Sequence, residues 1–479
     1  MAKHIVIVGA GLGGLAAALR LAHQGCRVTV LEKTNQVGGR NRRVRVGDSD
    51  FDAGPTLVMM LDPFRKLFAD VGERLEDRLD LTLCDPGYRA FFSDGSQIDT
   101  TIDQPKMRNR ISNISLHDAN AYPRLLKQLK SLYEDSIPNF VEKNFYSPVD
   151  FFGPGQLARV IRHRMLGNLG RRIGRTFDDP RIQMLFSFQT MYLGLSPFQA
   201  PWVYATLAYM EFGEGIWYPR GGVVGISEAI ADAACERGAV IRMEAPVARI
   251  EGTSAILESG EIVDADAILC NADLPYAEHV LIGQPMKSRR NSCSAFVLYV
   301  DYGGVLPELL HHNVFFSGDF RHNLNQIFKR DEVPSDPSFY VAISSKTDPA
   351  RSAIGHSNLM VLVPCPNLAH PWTDVDSNQI REVVFDRLSR ECSFDPKFIR
   401  GMSASTPHDW QNDLNLNMGA AFGLSHHFLQ SAYFRPGNRN RQNRNVYFVG
   451  ASTTPGNGMP MVLISADLVV QRMEKDGTI

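Results

Sequence analysis

The hydrophobic pattern is most legible at the two ends of the chain. Lys3 to Val8 is a short apolar run suited to a buried parallel strand. A glycine cluster, Gly9-Ala10-Gly11-Leu12-Gly13-Gly14, follows at once, and an alanine- and leucine-rich helical segment comes next. Arg27 to Leu31 reads as a second strand, ending at Glu32. At the far end, Asn445 to Gly450 is an apolar strand and Ala451 to Pro460 a loop of small residues. Met461 to Met473 is then a helix, with Val462, Leu463, Ala466, Val469 and Val470 at helical spacing. Between the ends, Ile226 to Arg237 predicts a helix, and Gly238–Ile241, Pro246–Ile250 and Ala265–Asp273 predict strands.

Composition narrows the class. The chain has 479 residues, enough for two or three domains. Fifty basic and 52 acidic residues leave a net charge of -2, which argues against a nucleic-acid binder held by bulk positive charge. Lys3 ahead of an apolar run resembles a signal peptide, but the glycines inside that run suit a turn better. No apolar stretch reaches about 18 residues, so none reads as a membrane span. Seven cysteines, an odd number, do not form a disulfide framework, and Cys270 and Cys293 lack metal-ligand spacing. Buried, reduced thiols are expected. His311-His312 and His426-His427 read as buried or solvated histidines, with no thiol or carboxylate placed near them by spacing.

The order strand, glycine turn, helix, strand, acid carries chemistry. Gly9 permits the tight turn, Gly11 lets backbone approach a pyrophosphate, and Gly14 allows close packing of helix on strand, with Gly13 between them. The helix N-terminus offers N–H groups to the phosphates. Glu32, 23 residues after Gly9, can accept hydrogen bonds from both adenosine ribose hydroxyls, which speaks against NADP. Lys33 follows it, and Val37-Gly38-Gly39-Arg40 then places a guanidinium fork within reach of the pyrophosphate. Asp52 to Pro55 reads as a loop in which Gly54, Pro55 and Thr56 let backbone lie against a flat ring. Gly450, Ala451, Gly458, Met459 and Pro460 lead into a helix whose N-terminus would face the N1–C2=O edge of a flavin. Val247 could offer backbone hydrogen bonds to adenine, or be a core valine. The expected cofactor is FAD. A cofactor held from both ends puts both ends in one domain.

The intervening segments must hold the substrate. Phe186, Phe188, Met191, Tyr192, Phe198, Trp202, Tyr204, Tyr209, Met210, Phe212 and Trp217 could line a long apolar tunnel or fill an ordinary core. Phe151 to Phe177 has no acidic residue and six arginines, at 159, 162, 164, 171, 172 and 175. Leu157, Ile161, Met165, Leu169 and Ile173 recur every fourth residue, as on a helix lying on an anionic membrane. A solvated basic face is the competing account.

With these residues in view, the chain resembles the phytoene desaturase family of FAD-dependent carotenoid enzymes, most nearly the bacterial C30 diapophytoene desaturases. The segments carrying the resemblance are VGAGLGGLAAALRLAHQGCRVTVLEK, VGGR, FDAGPTLVMM, FQTMYLGLSP, WYPRGG, SCSAFVLYV, HHNVFFSGDFR, GAAFGLS and YFVGASTTPGNGMPMVLISA. They run in order over nearly the whole chain. The expected fold is α/β: a Rossmann-like FAD-binding domain with an inserted α+β substrate domain and a helical membrane-facing segment. The expected boundaries are 1–84, 218–290 and 426–479 for the FAD domain, and 85–217 and 291–425 for the substrate domain, with 151–177 at the membrane. The resemblance implies non-covalent FAD and an apolar C30 or C40 carotenoid drawn from the cytoplasmic side of a membrane. The implied reaction is desaturation of a polyisoprenoid such as 4,4'-diapophytoene by hydride transfer to flavin. Family members commonly carry histidine where this chain has Thr454, which leaves terminal-methyl oxidation and isomerisation as alternatives. Two other classes share the architecture, the flavin-free GDP-dissociation inhibitors and amine oxidases acting on soluble amines.

Overall fold

A computed structural model describes residues 2–479. The N-terminal motif builds a five-stranded parallel sheet in the order Val446–Phe448, Ala267–Cys270, His4–Val8, Arg27–Leu31, Val240–Arg242. Successive residues of a strand point to opposite faces, and both faces here are covered. Ile5, Ile7, Val28, Val30, Ala267 and Leu269 pack against the helices Leu12–His23, Val224–Glu236 and Met459–Lys475. Val6, Val8, Leu31, Ile268 and Cys270 pack instead against an antiparallel meander formed by Val247–Glu251, Ser254–Leu257 and Ile262–Asp264. Double coverage is why these strands read as unbroken apolar runs.

A second sheet of seven strands runs in the order Ile399–Ser405, Ser294–Tyr302, Ser357–Cys365, Phe339–Ile343, His312–Phe315, Arg89–Phe91, Gln97–Asp99. Its pairs are antiparallel except that between Arg89–Phe91 and His312–Phe315. One face holds Phe296, Leu298, Val300, Val341 and Val361 against Ile380, Val384 and Leu388 of the helix Asp374–Glu391. The other face presents Ala295, Val297, Tyr340 and Leu362 to a cavity. Helix Leu116–Ser136 and a run of short helices up to Glu214 close that cavity with an aromatic cluster. The fold is α/β.

Two local expectations are corrected. The segment 151–177 is not one amphipathic helix. Helices Pro148–Phe152, Pro154–His163 and Leu169–Thr176 are broken at Gly153 and again after Arg164, whose φ is 50°. Met165, Leu169 and Ile173 therefore turn into the aromatic cluster, while Leu157 and Ile161 stay exposed. Two of the arginines are used internally: Arg159 donates to Asp135 at 3.0 Å, and Arg172 lies 4.0 Å over the Trp202 ring. Asp52, expected in a loop, ends the strand Ser49–Asp52 and is buried. Its carboxylate accepts from Tyr218 Oη at 2.7 Å, Val223 N at 2.9 Å and Arg351 Nη2 at 3.3 Å. Pairing is what makes the position tenable for a carboxylate.

Candidate active site

One cavity of about 980 Å³ starts at the glycine turn and ends at the surface beside residues 151–166. This lies at the upper end of the usual range for ligand pockets, about 300–1,000 Å³. Its first part is lined by Gly9, Gly11, Gly13, Glu32, Lys33, Gly39, Arg40, Gly54, Pro55, Thr56, Val247, Gly450, Ala451, Gly458, Met459 and Pro460. Of the residues expected at the cofactor, only Gly14 is absent from the wall. It faces inward, where a Cβ would collide with the Gly9 carbonyl oxygen, and Gly9 itself has φ of +100°. Helix Leu12–His23 can lie this close to the first strand only because both positions are glycine.

The polar groups of this part are held in place. Glu32 is buried; its carboxylate accepts from Ala10 N at 2.7 Å and from Thr34 N at 2.9 Å. Arg40 Nη2 lies 4.0 Å from Asp273 Oδ1, and burial lowers the Arg40 pKa against that counter-ion. Asp273 also accepts from Ser452 Oγ at 2.7 Å, tying the last strand's loop to the Arg40 side. Arg435 secures the same loop: it donates to Thr453 O at 2.9 Å and to Ala451 O at 2.5 Å. Burial pushes its pKa down to about 10. Asp273 and Arg435 carry no motif signal; only their contacts identify them.

Beyond Thr56 the wall becomes apolar. Of the eleven aromatic and methionine residues left open between tunnel and core, Phe188, Met191, Tyr192, Tyr204 and Met210 line the cavity. Phe186, Trp202 and Phe212 are buried in the aromatic cluster instead, with Phe186 and Phe212 stacked at 4.4 Å. The cavity then opens between Phe152, Leu157, Leu166, Phe428 and Phe434, all exposed on their outer sides.

His311 and His312 are buried, as the sequence reading allowed, but a thiol that spacing did not place near them lies alongside. His311 Nδ1 is 4.0 Å from Cys84 Sγ, and with His312 these form a buried cluster. Residues 84 and 311 are brought together by the fold, which no spacing could show. Burial lowers the His311 pKa to about 3, so the ring is neutral. His311 Nδ1 bonds Thr347 Oγ1 at 2.6 Å, and His312 Nδ1 bonds Tyr340 Oη at 2.7 Å. Tyr340 Oη in turn meets Thr56 Oγ1 at 2.8 Å, so this buried group fixes two polar atoms of the cavity wall. All seven cysteines are free; five are buried, whereas Cys26 is partly exposed and Cys235 exposed.

The donor set fits FAD. An acid sits at the second strand end, a glycine turn opens a helix, a cation sits between the two halves, and a helix N-terminus closes the far wall. The family profile of flavin containing amine oxidoreductases matches residues 12–473. The zeta-carotene-forming phytoene desaturase of Myxococcus xanthus is 41% identical over 98% of this chain and 94% of its own. The 4,4'-diapophytoene desaturase (4,4'-diaponeurosporene-forming) of Staphylococcus aureus is 32% identical over 98% and 99%. Among solved structures, an oxidoreductase from Methanosarcina mazei superposes with a TM-score of 0.66 at 16% identity, covering 98% of this chain and 100% of that one, a likeness of fold alone. The fold, this cavity and these full-length identities lead to one conclusion: the chain belongs to the flavin-containing amine oxidoreductase family, among the phytoene and diapophytoene desaturases, and is an FAD-dependent oxidoreductase.

Proposed function

We propose that the protein is a carotenoid desaturase that introduces double bonds into a C40 polyisoprenoid of the phytoene type, taken up from a membrane surface. The observation that carries this reading is the continuity of the cavity, polar from Gly9 to Thr56 and apolar from Phe188 to an exposed apolar mouth. A soluble amine has no use for such a tunnel, and a flavin-free prenyl carrier has no use for Glu32 and Arg40. Of the two chain lengths expected, C40 is favoured by the 41% identity to a phytoene desaturase against 32% to the C30 enzyme.

When bound, FAD supplies the oxidant that accepts a hydride. The chain does the rest. Glu32 would hold the adenosine ribose and Arg40 the pyrophosphate. The loop Gly450–Gly458, held by Asp273 and Arg435, would hold the flavin end of the cofactor beside the apolar part of the cavity. Phe188, Met191 and Met210 exclude water and orient the chain. The domain division given by the sequence belongs to the same reading, since the parallel-sheet strands come from its FAD segments and the seven-stranded sheet from its substrate segments.

Membrane contact is part of the proposal. Val149, Phe152, Leu157, Ile161, Leu166, Phe428, Leu429 and Phe434 are exposed around the mouth, with Arg162 and Arg164 exposed beside them. Among the described residues no helix is long and apolar enough to cross a membrane, so contact would be from one side. Purified holoprotein incubated with phytoene or 4,4'-diapophytoene in liposomes, with product absorbance and chromatography, tests the reading. New conjugated double bonds in phytoene are expected. Unchanged spectra with both substrates, despite bound FAD and an electron acceptor, would refute it; conversion of the C30 substrate alone would correct the chain length.

A further inference from the structure

Desaturation removes a hydride from one carbon and a proton from its neighbour, and nothing so far receives the proton. A buried carboxylate lies directly behind the wall of the apolar half of the cavity. Glu211 is only 5% exposed, on the turn Met210–Glu214 that closes the aromatic cluster. Its Oε1 accepts from Tyr192 Oη at 2.6 Å, and its Oε2 accepts from Gln189 Nε2 at 2.8 Å. The Tyr88 hydroxyl, buried with no hydrogen-bond partner, adjoins the same carboxylate. Tyr192 is itself a wall residue of the cavity. Its carbonyl accepts from Asn457 Nδ2 at 3.4 Å, which ties it to the loop on the cofactor side.

A carboxylate in such a place is costly unless it has work that needs it, because apolar packing would serve a passive wall better. Resting on the desaturase reading above, we propose that Tyr192 and Glu211 form the proton exit of the reaction, Tyr192 touching the substrate and Glu211 acting through it. As hydride leaves one carbon for the FAD that the site would hold, the C–H bond on the adjacent carbon breaks and its electron pair becomes the new C=C bond. The released proton goes to the Tyr192 oxygen while that hydroxyl's own proton moves to Glu211. The phenol is regenerated, the carboxylate becomes a carboxylic acid, and two electrons leave with the hydride. Glu211 returns its proton to solvent between turnovers.

The environment suits the role. Burial raises the Glu211 pKa to about 7, against the lowering effect of its bonds to Tyr192 and Gln189 and of the adjoining Tyr88 hydroxyl. The groups facing it are Gln189 and Tyr192 from the turn Phe188–Leu193, and Tyr88 from the segment before Arg89–Phe91; Tyr340 of the seven-stranded sheet acts on Tyr192. Tyr133, on helix Leu116–Ser136, bonds Glu214 rather than Glu211. Among the described residues no cation acts on Glu211. It therefore accepts a proton only when ionised, and the rate should rise with pH through about 7.

The test uses FAD-loaded wild type, Glu211→Gln, Glu211→Asp and Tyr192→Phe. Anaerobic single turnovers with phytoene in liposomes are followed between pH 6 and 9, and infrared spectra are recorded over the same range without substrate. Wild type should show a carbonyl band of a protonated buried carboxyl that titrates near neutrality, absent from Glu211→Gln. The single-turnover rate should fall about 100-fold in Glu211→Gln and Tyr192→Phe and lose its pH dependence, with Glu211→Asp recovering part of both. Unchanged FAD content separates this from misfolding. Variants that keep the wild-type rate and pH profile overturn the proton exit while leaving the desaturase reading intact. A wild type that shows the infrared titration but converts neither carotenoid precursor overturns the desaturase reading, and this step with it.

Discussion

The exposed mouth makes the most quantitative prediction. Ile161 is 74% exposed and Leu166 60%, on either side of the break after Arg164. Fully burying one such side chain is worth about 1.5–3 kcal/mol, so sinking the exposed fractions of both into a lipid boundary contributes about 2–4 kcal/mol. At 1.4 kcal/mol per factor of ten, Ile161→Ser combined with Leu166→Ser should weaken vesicle partitioning by about 30-fold or more. The assay is co-sedimentation of FAD-loaded protein with zwitterionic phosphatidylcholine vesicles, where charge attraction is minimal. Neither side chain belongs to the buried core, so flavin content and helicity should stay at wild-type values. Turnover of detergent-dispersed substrate should be retained, while turnover from liposomes falls through KM. A double variant that partitions onto neutral vesicles like wild type would refute the argument, because the apolar mouth would then not be the contact.

Three further outcomes follow from buried contacts. Arg351→Met should cost about 3–5 kcal/mol in denaturant unfolding of the holoprotein, because Asp52 is left as an uncompensated buried charge; Asp52→Asn added to it should recover most of that loss. Burial raises the Asp52 pKa, so the folded chain holds that proton more tightly than the unfolded one, and this contribution fades as pH rises through the folded value. The Arg351→Met deficit should thus be larger at pH 8 than at pH 5, and an equal deficit at both would count against the pairing. Gly14→Ala should yield protein with substoichiometric FAD, measured by the flavin-to-protein absorbance ratio, because its Cβ meets the Gly9 carbonyl. Glu32→Gln should raise the FAD dissociation constant at least about tenfold in fluorescence titration, since one amide oxygen cannot replace a carboxylate that accepts from Ala10 and Thr34 and, in the proposed reading, would accept from a ribose.

Much of the cofactor half was legible in the chain. The strand Arg27–Leu31 and the acid Glu32 fall where the hydrophobic pattern puts them, and sixteen of the seventeen expected cofactor residues line the cavity. The reason is that strands covered on both faces, glycine turns and helix starts are set by backbone sterics and local periodicity. These act over a few residues and leave a direct trace in sequence. The substrate half was legible only as composition. Whether an aromatic residue lines the tunnel or fills the core, as Phe188 and Phe186 do two positions apart, depends on which way a short turn faces.

What tertiary structure alone decided are the pairings and the breaks. A fourfold apolar repeat from Leu157 to Ile173 describes one face only if the helix is continuous, and the left-handed backbone at Arg164 ends that continuity. Cys84 meets His311 across 227 positions, and Asp52 meets Arg351 across 299. Tyr192 and Glu211 are 19 positions apart on separate turns. Contacts between such residues follow from how the two sheets and the helices between them pack, a global arrangement with no period along the chain. Sequence therefore determined which cofactor this protein is built around, and packing decided where its charges are buried and where its tunnel opens.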